Sequence, residues 1–143
     1  MLTHEELSAL WEKDAHIDKH QLDMEAIRIP LLHQKYLDHY LQVRARRIAL
    51  ESRLEVLQRD KSAYYAGQAT SDKYKDKPFD LKVRTKAEIM RYVEADEDVQ
   101  AITQKIQYCD LLIEGLNFIL ESIKWRNQSI KNAISWAQFT AGV

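Results

Sequence analysis

The residues best suited to chemistry in this chain are cations that lie beside tyrosines in its middle part. Arginines and lysines recur through residues 44–61, directly before Tyr64 and Tyr65, and again through residues 73–91. Lys and Arg bind the phosphates of a nucleic acid, and unpaired bases stack on aromatic rings. The pattern therefore favours a protein that binds single-stranded nucleic acid. The alternative is a solvated helix face on which acidic neighbours such as Glu51 pair with the cations.

The charge is distributed unevenly along the chain. The net charge is only −1 over 143 residues. Residues 31–91, however, carry 14 Lys and Arg against 8 Asp and Glu, while residues 1–30 and 92–143 are both net negative. Segregated charge matters more for binding than the total does. The middle of the chain is thus the only candidate surface for a polyanion.

Patterns typical of enzymes are missing from the sequence. The three glycines are isolated, so no glycine-rich phosphate loop is present, and no serine or cysteine lies in a nucleophile motif. His16 and His20 are four residues apart, but without an HExxH motif they are better explained as surface residues than as zinc ligands. Cys109 is the only cysteine, which excludes an internal disulfide and fits a reducing compartment. We predict no catalytic activity, no cofactor and no metal.

No run of about 18 apolar residues is present, so no membrane span is expected. The N-terminal residues lack a basic stretch followed by an apolar core, so no secretory signal is visible. These features predict a cytoplasmic protein that makes no contact with a membrane.

The scarcity of glycine (3) and proline (2) predicts an all-α fold. A capping box predicts a first helix at residues 4–15. A second helix begins near residues 18–21, and Pro30 either kinks it or lies in the first turn of a new helix. Nothing interrupts the helical pattern of residues 31–66, and Gly67 ends it.

The second half of the chain contains a loop, a short helix and a long helix. Residues 68–84 are polar, rich in lysine and predicted to form a loop. Thr85 and Glu88 repeat the capping-box pattern and begin a short helix. The acidic residues 95–98 are suited to the N-terminus of a long final helix at residues 98–139, because acids stabilise that end of a helix.

The final helix carries an apolar seam in heptad spacing from Val99 to Ala137, interrupted only by Asn127. A seam of this length indicates a coiled coil, and a lone Asn in it can fix the register or the number of strands. We therefore predict one domain, a long helical hairpin with a short N-terminal helix attached. Residues 1–97 would supply the N-terminal helices and the basic region, and residues 98–143 the helix that joins several copies. The residues predicted to form the contact between copies are Ile106, Ile113, Leu116, Leu120, Ile123, Asn127, Ile130 and Ile134.

Several short segments, taken in order, are similar to one known family. They are YYAG at Tyr64–Gly67, ADEDV at Ala95–Val99, IQY at Ile106–Tyr108 and the tail Ile130–Gly142, which ends in FTAG. With these segments the chain resembles, over nearly its whole length, the UvsY recombination mediator family of T-even-type phages. Each motif is short, so the specificity of the resemblance comes from their common order.

The resemblance implies an accessory protein of homologous recombination in the cytoplasm of an infected bacterial host. Members of the family bind single-stranded DNA, weaken the hold of the single-strand-binding protein and help to load a RecA-like phage recombinase. They form ring-like homo-oligomers, hexamers or heptamers, through the C-terminal region. A basic pair before the tyrosines is tied to DNA binding in the family, and Arg59 and Lys61 hold those positions here. Asp60 between them replaces a small neutral residue and lowers the local charge.

The residues predicted to bind nucleic acid are Arg59, Lys61, Tyr64, Tyr65, Lys73 and Lys75. Tyr64 also continues an apolar seam, so Tyr65 is the better candidate for stacking on a base. Two other classes of function stay open at this point. One is a structural coiled-coil adaptor or assembly chaperone that binds no nucleic acid. The other is an architectural protein of duplex DNA, less favoured because no recognition helix or apolar wedge is evident.

Overall fold

The structure is a computed structural model that describes residues 2–79 and 85–142. Within these ranges all regular elements are helical, which confirms the predicted all-α class. The five helices are α1 (His4–Ala15), α2 (Leu22–Tyr65), α3 (Ser71–Asp76), α4 (Lys86–Ala95) and α5 (Glu97–Thr140).

Local capping explains where the helices begin. The Thr3 hydroxyl accepts a hydrogen bond from the N–H of Glu6 at 3.1 Å, and the Glu6 carboxylate accepts one from the N–H of Thr3 at 3.0 Å. This is the complete capping box predicted for α1. The Thr85 hydroxyl accepts from the N–H of Glu88 at 3.2 Å and begins α4 in the same way. Both predicted helix starts are confirmed.

Two segments differ from the sequence-based prediction. Pro30 lies inside α2, which is continuous from Leu22, so no new helix begins there. Proline removes one backbone hydrogen bond from a helix, and the buried residues Glu25 and Leu32 on either side hold this part of α2 in place. The predicted loop 68–84 contains α3. Residues 80–84 of that loop, with Lys82 and Arg84, lie outside the described residues.

The chain divides into two compact units. Unit 1 comprises Met1–Arg44 and Asp110–Val143, and unit 2 comprises Ala45–Cys109. Each unit contains part of α2 and part of α5. The division of roles between residues 1–97 and 98–143 stays a prediction.

Unit 1 is built from α1, the first half of α2 and the second half of α5. The ring of Trp11 packs edge-on against Tyr36, with 5.5 Å between the centroids. A methyl carbon of Leu7 lies 3.5 Å from the point that a Cβ on Gly115 would occupy, so α1 packs closely on α5. Tyr36, Leu116 and similar side chains are fully buried here. Burial of this apolar surface is the main stabilising contribution to the unit.

A buried polar network fixes the end of α1. The guanidinium of Arg126 donates to the carbonyl oxygens of Ala15 (3.1 Å) and His16 (3.0 Å), and to the carboxylate of Glu25 (2.8 Å). Arg126 therefore satisfies backbone carbonyls at the end of α1, which the helix itself leaves unpaired. It also links α5 to α2 within unit 1.

A second network surrounds Asp14. Its carboxylate accepts hydrogen bonds from Lys35 (2.6 Å), Tyr36 (2.8 Å) and Arg28 (3.2 Å). Burial alone would raise the pKa of Asp14, but these donors and their positive charges outweigh it and hold the pKa below its usual value. For Tyr36, burial and the hydrogen bond to Asp14 raise the pKa well above its usual value.

The apolar seam of α5 requires a correction. Of the eight residues predicted to join copies, four are buried within the single chain: Ile106, Leu116, Ile123 and Ile130. Ile113 and Leu120 are half-buried, while Asn127 and Ile134 are exposed. A side chain that is buried inside its own chain has no surface left for a second copy. The four buried residues therefore belong to the core of one chain.

Candidate nucleic-acid site

The end of α2 and the short helix α3 bring together most of the residues predicted to bind nucleic acid, all within unit 2. Gly67 ends α2 with a φ of 78°, a conformation that glycine adopts without steric cost. The N–H of Gln68 donates to the carbonyl of Ala63 at 2.8 Å, and the N–H of Gly67 donates to that of Tyr64 at 3.2 Å. This is the Schellman arrangement of a helix C-terminus. It turns the chain back so that α3 lies beside the last turns of α2.

The tyrosines of this region form a closed aromatic cluster. Tyr64 stacks on Tyr74 with 5.2 Å between the centroids, and Tyr65 stacks on Tyr92 at 5.5 Å. Phe79 packs edge-on against Tyr65 at 4.9 Å. Tyr64 and Tyr65 are half-buried, and each already stacks on another tyrosine of the cluster. The structure thus places both tyrosines in a packing role that holds α2, α3 and α4 together.

Hydrogen bonds fix the same cluster. The hydroxyl of Tyr64 donates to the carbonyl of Lys77 at 2.6 Å, and that of Tyr74 donates to the carbonyl of Tyr64 at 2.6 Å. Neither bond could be inferred from the sequence, because each joins residues at least ten positions apart. They order α3, which the sequence suggested was a loop.

Lys61 is held by two acids at the junction of α4 and α5. Its ammonium lies 3.1 Å from the carboxylate of Asp96 and 2.9 Å from that of Asp98, and its side chain is only 17% exposed. The hydroxyl of Tyr65 donates to the same Asp96 oxygen at 2.7 Å. The second oxygen of Asp96 accepts the N–H groups of Asp98 (2.9 Å) and Val99 (3.3 Å). The predicted cap of α5 is confirmed, and the cap residue also binds Lys61.

This cluster shifts the pKa values of its members in opposite directions. Burial would raise the pKa of Asp96, but hydrogen bonds from Tyr65, Lys61 and the backbone hold it below its usual value. For Lys61, burial would lower the pKa, and the bonds to Asp98 and Asp96 raise it instead. Burial and the bond to Asp96 raise the pKa of Tyr65 well above the usual value. Both carboxylate and ammonium are therefore charged near neutral pH.

Other cations of unit 2 are free to meet a ligand. The side chain of Arg59 is 77% exposed, and its nearest acid, Asp60, is 3.6 Å away. Lys73, Lys75 and Lys77 are also exposed. Of the predicted basic pair, Arg59 faces solvent and Lys61 does not. Lys77 was not among the predicted site residues, although it lies in the same predicted loop, residues 68–84, as Lys73 and Lys75.

A groove runs between the end of α2 and α3. It has a volume of about 330 Å³. Its lining residues are Leu57, Asp60, Lys61, Tyr64, Lys73, Asp76 and Lys77. The first four lie at positions i, i+3, i+4 and i+7 of α2, so they share one face of that helix. Lys75, on the same short helix as Lys73, does not line the groove.

Two further properties of the described residues, the polarity of their helices and the placement of potential metal ligands, bear on other functions. In residues 2–79 and 85–142 no helix is apolar over enough of its length to cross a bilayer. The same residues contain no group of three or more potential metal ligands.

Comparisons with known proteins agree over almost the entire chain. A family model described as "Recombination, repair and ssDNA binding protein UvsY" matches residues 10–143. The recombination protein uvsY of enterobacteria phage T4 is 27% identical over 138 residues, which cover 96% of this chain and 97% of that protein.

Solved structures of the bacteriophage T4 recombination mediator protein UvsY are also similar. One crystal form has a TM-score of 0.85 at 26% identity and covers 99% of both chains. Another has a TM-score of 0.83 at 25% identity and covers 94% of this chain and 98% of the other. The resemblance found in the short sequence motifs is confirmed: this chain belongs to the UvsY family of recombination, repair and single-stranded-DNA-binding proteins.

Proposed function

We propose that this protein is a recombination mediator, without enzymatic activity, that binds single-stranded DNA in the cytoplasm of an infected bacterium. It helps a RecA-like recombinase to assemble on a strand covered by single-strand-binding protein. The main support for this proposal is the set of exposed cations on the end of α2 and on α3. The family to which the chain belongs is described as binding single-stranded DNA.

The closed aromatic cluster bears on how the strand is bound. Because Tyr64 and Tyr65 already pack against other rings, phosphate contacts dominate the affinity and base stacking on these tyrosines contributes little. Affinity should therefore depend steeply on salt concentration and weakly on overall sequence. Arg59 is the most exposed member of the predicted basic pair and is the principal phosphate contact on α2.

Self-association is the second part of the proposal. The outer face of α5 carries Leu111, Phe118 and Trp125 at intervals of seven residues. These residues are 50%, 67% and 59% exposed, respectively. Trp136 and Phe139 stack on each other further along the helix and are also exposed. Large apolar residues in such a line are costly in water and typical of an interface. We propose that this outer stripe, together with the exposed Ile134, joins six or seven copies in a ring.

A ring explains how weak single sites hold one strand firmly. Several copies that act on the same strand raise the affinity by orders of magnitude through effective concentration. A strand that follows the ring is bent away from the single-strand-binding protein and presented to the recombinase. The family description supports a role in recombination. The recombinase and the single-strand-binding protein are the partners that we propose.

The competing function is a structural adaptor that assembles through the same outer stripe and binds no DNA. Light scattering of the protein with and without a single-stranded oligonucleotide, at two salt concentrations, separates the two. A discrete oligomer that binds the oligonucleotide and releases it as salt rises supports the mediator. An oligomer that never binds the oligonucleotide would establish the adaptor. Competition with a duplex of the same sequence tests the third class, an architectural protein of duplex DNA.

A substitution series tests the role of Arg59 in binding phosphate. Arg59→Ala should weaken DNA binding and lower the slope of log K against log salt by about 0.7 for each phosphate of a single strand that is no longer neutralised. Arg46→Ala is the matched control, because Arg46 is exposed on the same helix, roughly 20 Å away at 1.5 Å per residue. Equal slopes for the two variants would exclude Arg59 as a phosphate ligand.

A further inference from the structure

The groove between α2 and α3 has a composition that a simple phosphate track does not explain. A track requires only cations, and carboxylates within it oppose the binding of a polyanion. This groove contains three lysines, but it also contains Asp60 and Asp76, with Leu57 as an apolar wall. A ligand that suits all of these groups carries a negative charge, an apolar body and hydrogen-bond donors. A nucleotide whose base has an exocyclic amino group has all three properties.

The size of the groove sets the length of the ligand. At about 330 Å³ it lies at the lower end of the range of roughly 300–1,000 Å³ for small-molecule sites. Such a volume suits one nucleotide and is too small for a base pair with its two backbones. The ligand is therefore a single residue of a strand.

The three lysines are not equivalent. Lys61 is already bound by Asp96 and Asp98, so its charge is largely neutralised. Lys73 and Lys77 are exposed, and both line the groove. These two lysines supply the positive charge available for a phosphate.

We propose that the groove holds one nucleotide of the bound strand, with its phosphate at Lys73 and Lys77 and its base against Leu57. Asp60 and Asp76 then accept hydrogen bonds from an exocyclic amino group, as acidic side chains do with cytosine N4. Thymine has no such group. The groove therefore gives the protein a preference for cytosine over thymine at one position per subunit. This inference rests on the single-stranded DNA binding proposed above.

The first test compares lysines that differ only in their position. Lys73→Ala combined with Lys77→Ala should lower the affinity for a short oligonucleotide on the order of tenfold, measured by fluorescence anisotropy at moderate salt. Lys75→Ala is the comparison: it removes the same charge from the same helix outside the groove, so it should lose only the general attraction of an exposed lysine for the strand and weaken binding less than the loss of either groove lysine. If Lys75→Ala weakens binding of the oligonucleotide as much as the loss of one groove lysine does, the proposal is overturned.

The second test measures base preference. Wild-type protein should bind an oligo(dC) strand severalfold more tightly than an oligo(dT) strand of equal length at neutral pH. In the variant Asp60→Ala with Asp76→Ala, the ratio should fall to about one and the affinity for oligo(dT) should rise. Equal wild-type affinities for the two strands would refute the base contact.

The outcomes separate the groove from the general function. If binding is sensitive to salt but unchanged by the groove substitutions, the proposed function holds and the nucleotide site is refuted. Absence of any binding to single strands would remove both.

Discussion

Substitution of Lys61 by methionine distinguishes a structural cation from a DNA-binding one. Lys61 holds the position that the family resemblance ties to DNA binding, yet its ammonium binds Asp96 and Asp98 within the chain. Methionine keeps the aliphatic stem and removes the charge. We expect Lys61→Met to lower the free energy of unfolding before any effect on DNA is considered.

The size of the decrease follows from the surroundings of Asp96. The Asp96 side chain is 7% exposed, and leaving a buried charge without its partner costs about 3–5 kcal/mol. Here the hydroxyl of Tyr65 and two backbone N–H groups continue to bind the carboxylate. The decrease is then that of one hydrogen bond to a charged group, about 1.5–3 kcal/mol. Asp98 is half in solvent, so its ion pair adds at most about 1 kcal/mol.

Urea unfolding followed by far-UV circular dichroism measures this difference. Protein concentration must be equal in all samples, because self-association adds to apparent stability. Arg59→Met is the control: Arg59 is exposed, so we expect a change below about 0.5 kcal/mol. If Lys61→Met unfolds at the same urea concentration as Arg59→Met, the ion pairs of Lys61 do not stabilise the fold and our reasoning is refuted. Loss of DNA binding by Arg59→Met at unchanged stability would complete the separation of the two roles.

Three further outcomes follow from the structure. Arg126→Met should destabilise the protein by about 3–5 kcal/mol in urea, because buried Glu25 keeps only Arg28 and the carbonyls of Ala15 and His16 lose their donor; a decrease under about 1 kcal/mol would contradict this. The free energy of unfolding should fall on acidification below about pH 4, because the pKa values of Asp14 and Asp96 are lowered in the folded protein. The two carboxylates stabilise the fold fully above their pKa in the unfolded chain, and this stabilisation is lost as the pH falls through their pKa in the folded protein. Asp96→Asn should flatten that acid limb, and an unchanged limb would assign it to other groups. Trp125→Ser should reduce the mass of the assembly in light scattering without loss of helix content, and an unchanged mass would exclude the outer stripe of α5 as the interface.

Lys61 already has two internal partners, Asp96 and Asp98, at the position that the family resemblance ties to DNA binding. A phosphate that reached Lys61 would have to compete with Asp96, which caps the start of α5. Such competition would remove an ion pair that stabilises the fold. Arg59, Lys73 and Lys77 can bind phosphate without that cost, because they are exposed. The structure therefore favours them as the DNA contacts.

Features that depend on neighbours a few residues apart could be predicted from the sequence. The starts of α1 and α4 follow from Thr3 and Thr85, whose hydroxyls bond the N–H three positions on. The end of α2 follows from Gly67, which takes a positive φ. The segregation of charge is likewise visible without a structure.

Which surfaces of the helices are covered could be seen only in the folded chain. The heptad pattern of α5 shows that a seam is apolar, but it contains no information on whether the partner is another helix of the same chain or a second copy. Burial of Leu116 and Ile123 within one chain answers that question, and the exposed line through Phe118 is the face left over. The pairing of Lys61 with Asp96, 35 positions apart, was equally hidden. The physical reason is common to all these cases: caps and turns are set by bonds between near neighbours, whereas burial and ion pairing depend on which distant segments the fold brings into contact.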